Sequence, residues 1–169
     1  MTTQGDFAVL VRAHQSKVRG FLRRLTRGDT ALADDLAQET FLEAHRKLAQ
    51  YRGEGSFGSW LCGIAWSRFL MERRKRKEEP LDELPENASA DPAPASAAKL
   101  DLERAMARLS AEERAALTLC YALGHSHGEA AEILRTPLGT VKSHVLRGRE
   151  KLKAMLRPDH ERERSRRTS

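Results

Sequence analysis

Cysteine, aromatic residues and long apolar runs are all scarce in this chain of 169 residues. Its two cysteines, Cys62 and Cys120, lie far apart inside apolar helical patterns, which excludes a disulfide framework and favours buried thiols in a cytoplasmic protein. No apolar run approaches the length of a membrane span, and Asp6 interrupts the place where a signal peptide would need apolar residues. His125 and His127 resemble a metal pair, but no further ligands cluster near them. We therefore expect no metal, no cofactor and no membrane insertion.

Catalytic patterns are missing too. The sequence pairs no nucleophile with a base and contains no phosphate-binding loop, so we predict that the protein is not an enzyme. Strand-like alternation of apolar and polar residues is also absent, which favours an all-α fold.

Lysine and arginine are absent from residues 78–98, which contain six Asp/Glu and four of the six prolines. We predict a disordered, acidic linker there, because such a segment cannot pack a core. Residues 1–77 carry a net charge of +7, and residues 99–169 carry +5. Two basic blocks on either side of an acidic spacer predict two domains whose surfaces meet a polyanion.

Apolar spacing predicts three helices in the first block, over residues 7–27, 30–48 and 57–77. The second of these helices exposes an acidic side, which is either simply solvated or a surface for protein docking. A loop punctuated by glycine, at residues 51–56, separates it from the third helix.

The third helix combines an aromatic first half with a wholly basic end, Arg73 to Lys77. Cations at a helix C-terminus favour the helix dipole, but five in succession repel one another, and a phosphate backbone would relieve that repulsion. Aromatic residues before a basic run also suit single-stranded nucleic acid, although most of these rings should lie in the core.

The second block begins with a helix from about Lys99, whose inward positions include Leu102 and Leu109. Ser110 and Glu113 form a capping box for the next helix, and Gly124 is placed to end it. We predict that the block occupies residues 99–157 and that residues 158–169 form a disordered tail.

Residues 126–156 read as two helices joined by a tight turn. Ser126 and Glu129 make a second capping box, and Pro137 stops the first helix. Apolar spacing gives the next helix a buried side made of Leu138, Val141, Val145, Leu152 and Leu156. Residues 138–157 carry six Lys/Arg against one Glu. This is either a helix-turn-helix whose second helix enters the DNA major groove, or an ordinary helical hairpin with a solvated basic side.

Four segments in this order resemble the extracytoplasmic-function sigma factors, the smallest group of bacterial RNA polymerase sigma subunits. The segments are DDLAQETFLEAHRKL (34–48), YRGEGSFGSWLCGIA (51–65), LSAEERAALTLCYALG (109–124) and PLGTVKSHVLRGREKL (137–152). The resemblance covers sigma regions two and four. It implies three partners: core RNA polymerase, promoter DNA in duplex and single-stranded form, and an anti-sigma factor.

The resemblance also implies site residues. Docking on the clamp helices of the polymerase is expected at Asp35, Gln38 and Glu39. Melting and holding the minus-ten element is expected at Tyr51, Ser56, Trp60, Ser67, Arg73, Arg74, Lys75, Arg76 and Lys77. Reading of the minus-thirty-five element is expected at Thr140, Lys142, Ser143, His144, Leu146 and Arg147. Lys142 and Arg147 would donate to guanine acceptors or only to phosphates.

Three positions depart from the family pattern. Ser67 stands where the family usually has Asn, Met71 where it often has Asp, and His144 where it usually has Arg. A hydroxyl lacks the paired geometry of an amide, so we expect the departures to alter promoter choice. The rival function, a helix-turn-helix regulator that works without polymerase, leaves the acidic helix, the glycine loop and the basic run unexplained.

Overall fold

The computed structural model describes residues 4–53, 55–78 and 96–156, and every regular element in these residues is helical. The elements are α1 (Gln4–Leu25), α2 (Thr30–Arg46), a 3-10 turn (Leu48–Gln50), α3 (Phe57–Glu78), α4 (Ala97–Ala107), α5 (Ala111–Leu117), a π-helical turn (Thr118–Ala122), α6 (His127–Leu134) and α7 (Leu138–Met155). The predicted all-α fold is therefore confirmed. No described helix is both long enough and apolar enough to cross a membrane.

Helix ends follow local chemistry. After α1, Arg27 adopts a left-handed conformation, and the N–H of Gly28 donates to the carbonyl of Arg23 at 2.8 Å, as in a Schellman motif. The Asp29 carboxylate then accepts from the N–H of Leu32 at 3.1 Å and caps α2. The predicted capping box of Ser110 and Glu113 is present at the start of α5.

The first block is a three-helix unit in which α1, α2 and α3 all pack on one another. The third helix contributes two buried rings, Trp66 and Phe69, which stack with their centroids 5.7 Å apart. The buried core of this block comprises Val18, Phe21, Leu22, Leu25, Ala33, Leu36, Ala37, Ala44, Phe57, Leu61, Cys62, Ala65, Trp66 and Phe69.

The second block is built around the contact of α5 with α7. Gly148 of α7 lies so close to α5 that an added Cβ would sit 2.7 Å from Cδ1 of Leu117. Val141 and Val145 are buried on the same side of α7, as predicted. This contact fixes the direction in which the basic side of α7 points.

Some predicted positions were wrong. Leu102, Leu138 and Leu156 were expected to be buried, but all three are exposed in the part of the chain that the structure describes. The π-helical turn after α5 was not predicted. Helices α3 and α4 extend into the edges of the predicted linker, to Glu78 and from Ala97. The rest of that linker and the tail after residue 157 lie outside the described residues.

The two blocks contact each other directly, which the sequence did not predict. Helix α6 packs on α3, and α5 packs on α1, so the buried side chains of both blocks form one continuous cluster. The two predicted helical domains are present, and their buried side chains are contiguous with each other.

Candidate polymerase and nucleic-acid interfaces

The three residues expected to dock on the polymerase share one open side of α2. Asp35, Gln38 and Glu39 are all exposed and lie within one turn of each other. Asp34 is different, because it accepts from the guanidinium of Arg19 at 2.9 Å and is turned toward α1. The acidic side of α2 therefore consists of the exposed side chains of Asp35, Gln38 and Glu39.

Leu42 extends this acidic side and was missed by the sequence reasoning. It is 58% exposed and lies one turn beyond Gln38 and Glu39. An apolar side chain that fails to follow the inward spacing of its helix was the available signal. The surface thus combines negative charge with an apolar contact, a combination typical of protein interfaces.

Aromatic packing orders the loop before α3. The ring of Tyr51 lies 5.2 Å from that of Trp60 and 5.4 Å from that of Phe57. The hydroxyl of Tyr51 donates to the carbonyl of Gly55 at 3.1 Å, which ties the loop across residue 54. Tyr51 is therefore a support for Trp60, whose own ring is only half-buried.

Three of the residues expected at the minus-ten element line a groove of about 740 Å³: Ser56, Trp60 and Ser67. Met71, one of the departures from the family pattern, lines the same groove and is exposed. The structure thus brings the loop and the middle of α3 together on one concave surface. A stacking ring beside hydroxyl groups suits an unstacked base.

Glu43 forms ion pairs with the cations at the edge of this groove, a role that the sequence did not predict. Its carboxylate accepts from Arg68 at 2.8 Å and from Lys47 at 2.9 Å, with Arg46 at 3.7 Å. The bond from Lys47, aided by the charge of Arg68, lowers the pKa of Glu43 despite some desolvation. Arg68 is therefore held in a fixed position against the groove.

The basic end of α3 divides into two parts. Arg74, Lys75, Arg76 and Lys77 are exposed, although Arg76 reaches back to Glu72 at 3.2 Å. Arg73 instead pairs with Glu112 of α5 at 2.9 Å and lies over the ring of Phe69. Two of the five cations are thus paired within the protein, Arg76 on its own helix and Arg73 with α5.

The expected minus-thirty-five residues mostly share the outer side of α7. Lys142, Ser143, Leu146 and Arg147 are exposed, and Thr140 is half-buried at the start of the helix. The hydroxyl of Ser143 donates to the carbonyl of Gly139 at 3.0 Å. A basic, open helix after a short turn has the geometry that lets a helix-turn-helix enter a major groove.

His144 does not join that outer side. It is half-buried, its Nδ1 atom is enclosed without a hydrogen-bond partner among the described residues, and its charge acts on Glu112. Burial opposes ionisation of Glu112, but the bond from Arg73 and the charges of Arg73 and His144 lower its pKa. His144 therefore faces α5 instead of following Lys142 and Ser143 outward.

The turn before α6 contains His125, one of the two histidines that resembled a metal pair. Nδ1 of His125 lies 3.1 Å from the carboxylate of Glu129 and 3.3 Å from the hydroxyl of Ser59. Because a carboxylate only accepts, this nitrogen carries the proton. In the described residues no three potential ligands gather at one point. Glu129 also accepts from the hydroxyl of Ser126, whose Oγ accepts from the Glu129 N–H in turn.

Comparison with known proteins shows the family to which the chain is similar. Residues 10–79 match Sigma-70 region 2, and residues 99–152 match Sigma-70 region 4. The chain is 36% identical over 156 residues to ECF RNA polymerase sigma factor SigE of Mycolicibacterium smegmatis, covering 87% of this chain and 60% of that protein. It is 33% identical over 175 residues to ECF RNA polymerase sigma-E factor of Haemophilus influenzae, covering 92% and 91% respectively. The chain thus spans only part of the first relative but nearly all of the second.

Two solved structures are similar to this chain over most of its length. Sigma factor RpoE from Bartonella quintana, in complex with the anti-sigma factor NepR, superposes with a TM-score of 0.77 at 29% identity, covering 89% of this chain and 96% of that one. CnrH, in complex with the cytosolic domain of CnrY, gives a TM-score of 0.67 at 25% identity, covering 91% and 89%. With both sigma regions present in order, the chain belongs to the ECF family of RNA polymerase sigma factors.

Proposed function

We propose that this protein is a dissociable subunit that binds core RNA polymerase in the cytoplasm and directs promoter recognition, DNA melting and transcription initiation. In this proposal the acidic side of α2 binds the polymerase. The groove around Trp60 and Ser67 takes the melted minus-ten strand, and the outer side of α7 reads the minus-thirty-five duplex.

The observation that carries the proposal is the open acidic and apolar surface of α2. Asp35, Gln38, Glu39 and Leu42 are exposed together on a protein that is otherwise basic. DNA would repel this surface, so a regulator that only binds duplex DNA has no use for it. A protein partner with a basic, partly apolar groove would complement it.

Charge reversal on α2 tests the docking step. In Asp35→Lys/Glu39→Lys both side chains are exposed, so we expect unchanged helicity by circular dichroism and loss of binding to core polymerase in a pull-down. Asp101→Lys/Glu103→Lys, with two exposed acids on α4, is the charge-matched control and should bind normally. Normal binding by the α2 variant would refute the docking assignment.

Reconstituted transcription tests the function as a whole. Core polymerase plus this protein should start transcripts at sites that core alone ignores, and sequencing those starts would define the promoter elements. The alternative, a helix-turn-helix regulator independent of polymerase, predicts duplex binding by the outer side of α7 but no co-purification with core.

An anti-sigma factor is the third proposed partner. The similar structures named above were solved in complexes with an anti-sigma factor or with the cytosolic domain of CnrY. Purification of this protein from its native host under non-inducing conditions should recover such a partner as a stable complex.

A further inference from the structure

We propose that the outer side of α1 is a further DNA-binding surface of the first block, and that it contacts the phosphate backbone of the duplex between the two promoter elements. This α1 basic side consists of Arg12, Lys17, Arg23, Arg24 and Arg27, which are all exposed. Its position on the promoter rests on the proposed function. Its binding to duplex DNA does not, and that binding can be measured without polymerase.

Charge is the first observation that supports this surface. Residues 7–28 contain six Lys/Arg and no Asp/Glu. The sixth cation, Arg19, pairs with Asp34 at 2.9 Å. Within the described ranges, the five cations of the α1 basic side form no ion pair with a carboxylate of the chain. A group of like charges that is left uncompensated attracts a polyanion.

Capping of α1 does not explain these side chains. The carbonyl of Arg23 accepts from the N–H of Gly28 at 2.8 Å, and the carbonyl of Arg24 accepts from the N–H of Arg27 at 3.3 Å. The end of the helix is therefore closed by main-chain donors. Cations in the last turn favour the helix dipole, but that effect falls off within one turn, and Lys17 lies about two turns before the end.

The backbone of Arg27 is the second observation. Its φ is 56°, in the left-handed region that glycine adopts without strain, and Gly28 follows with a φ of 83°. Residues other than glycine in this region cost stability, and they cluster at functional sites. The exposed side chain of Arg27 extends the α1 basic side beyond the last turn of the helix. A contact with an external phosphate gives a reason for arginine at this position.

The α1 basic side ends beside the basic end of α3. At the start of α3, the ring of Phe57 lies 5.5 Å from that of His14 on α1. At the other end, burial lowers the pKa of Arg114 to about 10, aided by the charges of Arg27 and Arg73, so both of these cations lie near one group. The two helices therefore run in the same direction. The cations of α1 continue a surface that the proposed function already assigns to DNA.

Duplex DNA fits this end of the block better than a melted strand does. Fourteen residues of α3 separate Trp60, in the groove, from Arg74, which corresponds to about 21 Å along the helix. That distance equals about six base pairs. DNA whose melted part occupies the groove can therefore be paired again where it passes the end of α3. The paired DNA that leads from there to the minus-thirty-five element is the spacer.

A protein partner fits the α1 basic side less well. Between residues 10 and 28, no large apolar side chain of α1 is exposed. The exposed residues among the cations are small or polar, as at Ala13, Gln15 and Ser16. Protein interfaces depend on buried apolar or aromatic anchors, whereas contacts to phosphate are made by cations and small polar groups.

The salt dependence of DNA binding tests the surface. The test variant is the full chain with Arg23→Gln/Arg24→Gln/Arg27→Gln, and the probe is a fluorescein-labelled duplex of arbitrary sequence, read by anisotropy at several salt concentrations. Each phosphate contact contributes about 0.9 to the slope of log K against log salt, so the slope should become shallower by about 3 in the test variant.

A matched control loses the same charge elsewhere. Lys99→Gln/Arg104→Gln/Arg108→Gln removes three exposed cations from α4 and its C-terminal end, and its slope should equal that of the unchanged protein. Equal slopes in the test variant and the control would overturn the surface. Loss of binding to core polymerase by the test variant, with equal slopes, would overturn it in favour of a protein partner.

Arg27→Gly separates a binding role from a structural one. Glycine removes the charge and also relieves the left-handed backbone, so the urea midpoint of unfolding should rise while the slope becomes shallower by about 1. A higher midpoint with an unchanged slope would show that Arg27 serves only the turn, and it would remove Arg27 from the surface.

The assignment to the spacer is tested with core polymerase and a promoter fragment whose minus-ten element is already melted. The test variant should bind this fragment more weakly than the control does, and removal of the spacer duplex should abolish the difference. A difference that persists without the spacer would overturn the assignment. If the unchanged protein does not bind core while the slopes differ as expected, the proposed function fails and the surface stands. If it initiates transcription while the slopes are equal, the surface fails and the function stands.

Discussion

The position of α7 depends on a glycine, and Gly148→Ala tests how tightly. An alanine stabilises the interior of a helix by about 1 kcal/mol relative to glycine, so an open site should gain stability. At Gly148 the new Cβ would lie 2.7 Å from Cδ1 and 3.2 Å from Cγ of Leu117. Carbon atoms in contact prefer a separation of about 3.5–4.0 Å, so the overlap is roughly 1 Å.

The surroundings cannot absorb that overlap cheaply. Leu117 is itself buried, and the Cβ of Glu113 lies 3.6 Å from the new Cβ. Overpacking of this kind costs about 1–3 kcal/mol, which exceeds the gain in helix propensity. We therefore expect Gly148→Ala to lower the free energy of unfolding by about 1 kcal/mol, a fall in melting temperature of about 2–4 °C.

Gly20→Ala in α1 is the matched control, because nothing lies within 4 Å of the new Cβ. It should raise the free energy of unfolding by about 0.5–1 kcal/mol. Urea unfolding followed by circular dichroism measures both. If Gly148→Ala stabilises the protein as much as Gly20→Ala does, the close approach of α5 and α7 is not as described.

Three further outcomes are expected. Arg147→Ala should weaken binding to a minus-thirty-five duplex by about 1–3 kcal/mol if Arg147 contacts a base edge, with less sequence discrimination at one position, as read in a competition assay. Replacing the exposed Arg74, Lys75 and Lys77 by Gln should impair promoter opening on all promoters alike and flatten its salt dependence, as permanganate footprinting at several salt concentrations would show. Burial raises the pKa of the Cys62 thiol to about 12, against the opposing charge of a nearby lysine, so maleimide at pH near 8 should spare Cys62 until urea unfolds the chain.

The same burial decides how Cys62 changes the free energy of unfolding with pH. The folded chain favours the neutral thiol, so this stabilisation is complete below the ordinary thiol pKa and is lost as the pH rises toward 12. Glu112 has the opposite sign. Its pKa is lowered in the folded state, so the stabilisation exists above its ordinary pKa and is lost as acid protonates it.

Periodicity predicted the helices because each core-facing side chain in α1, α2 and α3 has a helix opposite it. The same argument failed at Leu138, the first residue of α7, and at Leu156, which comes directly after the end of that helix. Spacing reports only the register of an element, and it cannot say whether another element reaches as far as its ends. Local hydrogen bonds were easier to predict, as the capping box of Ser110 and Glu113 shows.

The contacts between the blocks could not be predicted, for a different reason. Arg114 on α5 donates to a main-chain carbonyl 89 residues earlier in the chain. A backbone acceptor leaves no trace in residue type, so no pattern in the sequence points to it. His144 was expected on the outer side of α7 but is half-buried, because the packing of the helix, and not the spacing of residues along it, sets the exposure of each side chain.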